Sequence, residues 1–159
     1  MKAIGAASNA AQSVSLRDVL ETDLQTLFEY QLDPESLSMA AFPSRDRDPF
    51  IAHWHKILAD ASVTAATVLF NGVVAGDIVS WEQDGEREVG YWIGRTYWGK
   101  GIATAALSQF LEHLDRRPLR AHVAKHNVAS LRVLEKCGFT IVGESKHDDV
   151  DELILFREG

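Results

Sequence analysis

The order of apolar and polar positions divides the chain into elements of two periods. Ser13–Asp18 alternates, with Val14 and Leu16 set against polar neighbours, and predicts a first strand. Behind Thr22-Asp23, a pair suited to an N-cap, Leu24, Leu27, Phe28 and Leu32 recur at helical spacing. Asp33-Pro34 predicts the start of a second, short helix. Phe42-Pro43-Ser44 and the polar run Arg45–Pro49 break the pattern. Phe50–Ala59 resumes it, with Ile51, Trp54, Ile57 and Leu58 on one side.

Period two then takes over. Ser62–Phe70 is rich in Val, Thr and Ala, and Asn71-Gly72 is the dipeptide that most strongly signals a tight hairpin. Val73–Trp81 reads as the returning strand, Gln83-Asp84-Gly85 as another turn and Glu86–Gly94 as a third strand. The segment Tyr97–Thr104 opens a helix whose apolar face is Ala103, Leu107, Phe110, Leu111 and Leu114, ended by Arg117-Pro118. Leu119–Ala124 predicts a strand. Asn127 caps a helix reaching Cys137 with Val128, Leu131 and Leu134 inward, and Gly138 stops it. Phe139–Val142 and Leu153–Phe156 are the last two strands. No repeat or linker interrupts this order, which predicts one domain over residues 13–159 behind a loose tail, Met1–Gln12.

Composition removes several classes of partner. The 159 residues are 46% hydrophobic and 25% charged, as expected of a globular domain. The net charge of −7 argues against nucleic acid, whose phosphates call for clustered Lys and Arg, and suits a cationic partner. No run approaches the ~20 apolar residues of a membrane span. A single cysteine, Cys137, rules out an intramolecular disulfide and fits a reducing cytoplasm. His53 and His55 sit two apart, on different sides of a helix, with no Cys or acidic partner in the adjoining sequence, so no metal site is expected.

The glycine-rich turn carries chemistry. The first turn of a helix leaves backbone N–H groups without partners, and the helix dipole favours negative charge there. Glycines let a phosphate approach the bare backbone. Gly99, Lys100, Gly101, Ile102, Ala103 and Thr104 thus form a plausible pyrophosphate cradle. The P-loop pattern is absent, and a dinucleotide fingerprint would need a third glycine and a parallel βαβ unit.

Four blocks stand in one order: Val89-Gly90-Tyr91-Trp92-Ile93, Tyr97–Thr104, Asn127-Val128-Ala129-Ser130, and Glu135-Lys136-Cys137-Gly138-Phe139. Together they resemble the GCN5-related N-acetyltransferase (GNAT) family, and within it the ribosomal-protein N-terminal alanine/serine acetyltransferases. The resemblance runs from about Leu16 to the C-terminus. It implies an α/β (α+β) fold, a mixed, mostly antiparallel twisted sheet flanked by helices. It also implies acetyl-CoA as co-substrate and direct transfer to a primary amine. Trp98-x-x-Gly101-x-Ala103 occupies the place of the family's coenzyme loop, with Trp98 where Gln or Arg is usual. Backbone of Tyr91, Trp92 and Ile93 would pair with the pantetheine arm, and Asn127 and Ser130 would lie near pantetheine and thioester. Dimers occur in that branch, and the oligomeric state is left open.

Acetyl transfer needs a neutral amine and a proton for the departing thiolate. Strand alternation puts Glu88, Gly90 and Trp92 on one face, and a carboxylate on this strand recurs in the family, so Glu88 is the first candidate base. Asp149, between the last two strands, is the second. Many members carry a Tyr where this chain has Leu134, and the branch suggests Ser130 as the donor to sulfur. Three readings of function follow. The amine is a protein N-terminal α-amine, or that of a small molecule (amino acid, polyamine, aminoglycoside), or the chain binds acyl-CoA without turnover.

Overall fold

The computed structural model describes residues 4–5, 13–43, 45–115 and 117–159. Among the described residues eight strands form one sheet in the order β1-β2-β3-β4-β5-β6-β8-β7. The strands are β1 (Ile4–Gly5), β2 (Val14–Arg17), β3 (Thr64–Phe70), β4 (Val73–Gln83), β5 (Glu86–Ile93), β6 (Leu119–Ala124), β7 (Thr140–His147) and β8 (Val150–Arg157). Every pairing is antiparallel except β5 with β6. The helices are α1 (Leu24–Tyr30), α2 (Pro34–Ala40), α3 (Arg47–Ala59), α4 (Ile102–His113) and α5 (Val128–Lys136).

Turn chemistry sets the first three-strand meander. Asn71 and Gly72 have φ of +50° and +82°, and Asp84 and Gly85 have φ of +53° and +79°. Two left-handed residues in succession match the right-handed twist of a tight hairpin. The sheet then has two apolar faces. On one, Val14, Leu16, Val68, Ile78 and Val89 pack with Ile102, Leu107 and Phe110 of α4 and Leu134 of α5. On the other, Leu24, Leu27 and Phe28 of α1 join Phe50 and Trp54 of α3 over Val79 and Ala65.

Several expectations shift. Asp23 does not cap α1. Its buried carboxylate accepts from Arg17 at 2.6 and 2.9 Å, from the Leu20 N–H at 2.8 Å and from the Thr67 hydroxyl at 2.7 Å. These bonds tie β2 and β3 to the start of α1. α3 starts at Arg47, and Phe50 and Trp54 rather than Leu58 form its buried side. Val128 points outward at 50% exposure. β7 and β8 run on to His147 and Arg157. Of the tail Met1–Gln12, Ile4–Gly5 pairs with Leu16 and Ser15, and its other residues lie outside the described residues.

Candidate active site

β5 and β6 are hydrogen-bonded only at Arg87↔Leu119 and Glu88↔Arg120. Beyond those pairs the two parallel strands separate, which opens a V in the middle of the sheet. The cleft that enters the V holds about 500 Å³. β5 lines it with Tyr91, Trp92 and Ile93, and α2 with Ser36, Met39 and Ala40. α5 contributes Asn127, Ala129, Ser130, Arg132, Val133 and Lys136. The glycine turn closes one end with Tyr97, Trp98, Gly99, Gly101, Ile102, Ala103 and Thr104. Of the residues that the sequence proposes for coenzyme, Lys100 does not line this cleft and the other eleven do.

The glycine turn fits an anion on structural grounds. Gly99 and Gly101 have φ of +76° and +75°, and a Cβ built on either would meet nothing within 4 Å. The backbone is therefore bare where a ligand could approach. Within α4 the Ala105 N–H reaches the Gly101 carbonyl, and the preceding N–H groups of Ile102, Ala103 and Thr104 belong to the first turn, which has no partner for them inside the helix. No side chain caps them. Trp98 has a structural role that its place in the loop did not suggest: its indole N–H donates to the Ile93 carbonyl at 2.9 Å and pins the turn to the end of β5.

At the other end of the cleft Asn127 caps α5, its side chain accepting from the Ser130 N–H at 3.3 Å. The Ser130 hydroxyl is 2.7 Å from that of Tyr91. Tyr91 is half-buried, and that burial pushes its phenol up to about 12, so it remains a neutral hydroxyl at physiological pH. The Tyr91 contact was not legible in the sequence, because it joins residues 39 apart on β5 and α5. Leu134 is buried at 2% exposure in the core, and Cys137 is half-buried with its thiol raised by burial.

Glu88 is the last β5 residue paired to β6 and stands at the vertex of the V. Its side chain is 3% exposed. One carboxylate oxygen accepts from Arg120 at 3.1 Å, and the other lies 3.2 Å from His122 Nδ1. Arg120 also ion-pairs with Glu86. Glu88 shares the α1–α3 face with Gly90 and Trp92, as alternation predicts. Neither Glu88 nor Asp149 is among the residues that line the cleft, and Asp149 lies on a different element. It is exposed at the tip of the β7–β8 hairpin, where Asp148 and Asp149 take φ of +47° and +64° to close a two-residue turn.

Among the described residues no group of three or more His, Cys, Asp or Glu side chains is arranged for a metal ion. His55 lies 2.9 Å from the Glu21 carboxylate. Among the described residues no helix is long and apolar enough to cross a membrane.

A family model described as "Acetyltransferase (GNAT) domain" matches residues 13–140. A Bacillus subtilis (strain 168) protein named "Putative ribosomal N-acetyltransferase YdaF" is 31% identical over 128 residues, 70% of this chain and 70% of that protein. Among solved structures, aminoglycoside acetyltransferase AAC(6')-Ib in complex with coenzyme A superposes with a TM-score of 0.78 at 22% identity, covering 92% of this chain and 95% of its own. Spermidine N-acetyltransferase from Vibrio cholerae, in complex with CoA and spermine, gives 0.81 at 18% identity, covering 91% and 95%. At those identities the likeness is one of fold.

Proposed function

The chain belongs to the GNAT acetyltransferase family, and from that premise we propose that it transfers the acetyl group of acetyl-CoA to the N-terminal α-amine of a protein of ribosomal type. The observation that carries the reading is the V between β5 and β6, with an unused helix N-terminus at one end and a buried carboxylate at its vertex. The cleft at that helix N-terminus is lined by the Tyr91–Ser130 pair. The sheet runs unbroken from β2 to β7, which supports reading residues 13–159 as one acetyltransferase domain. A reducing cytoplasm agrees with the lone Cys137.

In this reading the amides from Gly99 to Thr104 take the pyrophosphate, the bare β5 edge at Tyr91–Ile93 takes the pantetheine arm, and Lys100 contributes charge from outside the cleft. Bound there, acetyl-CoA supplies a thioester carbonyl that an amine can attack. Ser130, held by Tyr91, donates a proton to the departing sulfur. Glu88 supplies the basic end. Both its oxygens are occupied, so it works through an intermediary rather than by touching the amine.

A second reading, a small polyamine-like acceptor, is favoured by the charge around the vertex. Glu86 and Glu88 stand there with Arg120 as their shared cationic partner. The experiment is a thermal melt with acetyl-CoA, followed by thiol release with peptides beginning Ala or Ser and with a polyamine. A ligand bound only to the folded state at a hundredfold excess over Kd stabilises it by about 2.7 kcal/mol. A melt that does not move at millimolar acetyl-CoA refutes the function. Release driven by the polyamine alone refutes the N-terminal acceptor.

A further inference from the structure

We propose that His122 is the group that takes the proton from the acceptor ammonium, with Glu88 as the residue that positions it. This rests on the acetyltransferase reading above and names the intermediary that Glu88 requires.

Register places His122 where the strands part. Glu88↔Arg120 is the last β5–β6 pair. One step further on the same face, Gly90 and His122 look at each other across the open V. Gly90 offers no side chain to obstruct that gap, and the Trp81 ring stands within 3.4 Å of where its Cβ would be. Trp92, two residues further along β5 on this face, lines the cleft. The side chain of His122 is 32% exposed while that of Glu88 is 3% exposed. Of the two, only the imidazole can meet a solvent-borne amine.

The hydrogen bond sets the tautomer. With the Glu88 carboxylate as acceptor, the His122 Nδ1 that faces it at 3.2 Å is the donor, and Nε2 carries the lone pair. When Nε2 accepts a proton, Glu88 stabilises the resulting imidazolium. The same arrangement of carboxylate, imidazole and reacting group recurs in hydrolytic triads on unrelated folds. The charged groups of this face nearest His122 are Arg120 on β6, Glu86 on β5 and, by the Ala124↔Glu152 register, Glu152 on β8, whose carboxylate accepts from Ser145 at 3.4 Å; Asp77 on β4, in register with Trp92, and the Arg17–Asp23 pair lie further across it. Beside His122, Glu86, Glu88 and Glu152 surround the one guanidinium of Arg120, a local balance that draws in a cationic amine.

The protons balance. An ammonium loses two on becoming an amide. His122 Nε2 accepts the first and passes it to water. The nitrogen then bonds to the thioester carbonyl carbon as the carbon–sulfur bond breaks. The second proton leaves the nitrogen to solvent, and solvent restores to Ser130 the one it gave the sulfur.

The test is kcat/KM against pH for acetyl transfer to an Ala-initiated peptide, read as thiol release. His122→Ala should lose at least a hundredfold at pH 7, within the range of general base catalysis. It should lose tenfold or less near pH 9.5, where an α-amine of pKa about 8 is already neutral. Free imidazole should restore part of the rate. His122→Asn keeps a donor for Glu88 but has no base, and should be as impaired as His122→Ala. Both variants should keep the acetyl-CoA melting shift, which also certifies folding. Activity of His122→Ala within threefold of wild type at pH 7, or full rescue by Asn, overturns the relay alone. A wild-type chain that shifts with acetyl-CoA yet acetylates no amine overturns the acetyltransferase reading, and the relay with it.

Discussion

Gly101→Ala separates the coenzyme cradle from ordinary backbone strain. Gly101 has φ +75°, and a Cβ there meets no protein atom. The substitution therefore costs stability through conformation alone, about 1–2 kcal/mol for an alanine in the left-handed region. For a chain of this size that lowers Tm by roughly 2–8 °C. Gly85, in the β4–β5 turn, provides the control. Its φ is +79° and a Cβ on it is equally unobstructed. Gly85→Ala should lose the same few degrees, yet keep the full acetyl-CoA shift of about 2.7 kcal/mol at a hundredfold excess. In Gly101→Ala the new methyl occupies the space that a phosphate must enter. If affinity falls a hundredfold, the same ligand concentration only equals Kd and stabilises by about 0.4 kcal/mol. Differential scanning fluorimetry of both variants with and without acetyl-CoA reads the difference. Equal ligand shifts in Gly101→Ala and Gly85→Ala would show that nothing binds at the turn.

Three further outcomes are expected. Asp77 is buried on β4 between Thr67 and Trp92, and burial raises its carboxyl from 3.8 to about 7. Between those values the folded chain holds a proton that the unfolded chain lacks, so stability falls as pH rises through the interval. The difference amounts to about 4 kcal/mol on the alkaline side. Asp77→Asn should therefore raise Tm at pH 8 and change it little at pH 4, and no gain at pH 8 refutes the assignment. Ser130→Ala should lower kcat at least tenfold with KM for acetyl-CoA little changed, and Tyr91→Phe should lower it less. Turnover of Ser130→Ala within twofold of wild type removes the donor role. Glu88→Gln should lower kcat/KM at least tenfold and Asp149→Asn less than threefold. The reverse ranking would move the base to the hairpin tip.

Local chemistry made much of this fold legible. Asn71-Gly72, the Asn127 cap, the Gly-x-Gly turn and the alternation of Glu88 with Val89 each act within a few residues. Edge strands were harder to read. Glu144-Ser145-Lys146-His147 has no apolar member to mark it as the continuation of β7, because that strand lies at the sheet edge with little to bury. Val128 departs from the inward side of α5 for a related reason, since an apolar residue in the first turn of a helix can overhang the core. What no periodicity reveals is partnership across the sheet. Arg120 and His122 meet Glu88 only through a parallel register over more than thirty positions. Ser130 meets Tyr91 through the packing of α5 on the sheet.

The short β5–β6 ladder has a mechanical consequence. Among the described residues, the strand ladder that joins the β1–β5 half of the sheet to the β6–β8 half is two residue pairs long. Along Gly90–Ile93 and Ala121–Ala124 alternate amides bond to β4 and β8, and only those that point into the V are without strand partners. In the empty protein these amides should exchange with solvent fast, and the two half-sheets should breathe about the vertex at Glu88. A ligand strand laid along β5 would slow that exchange and stiffen the seam, so the concentration of one small molecule would govern the rigidity of the whole sheet.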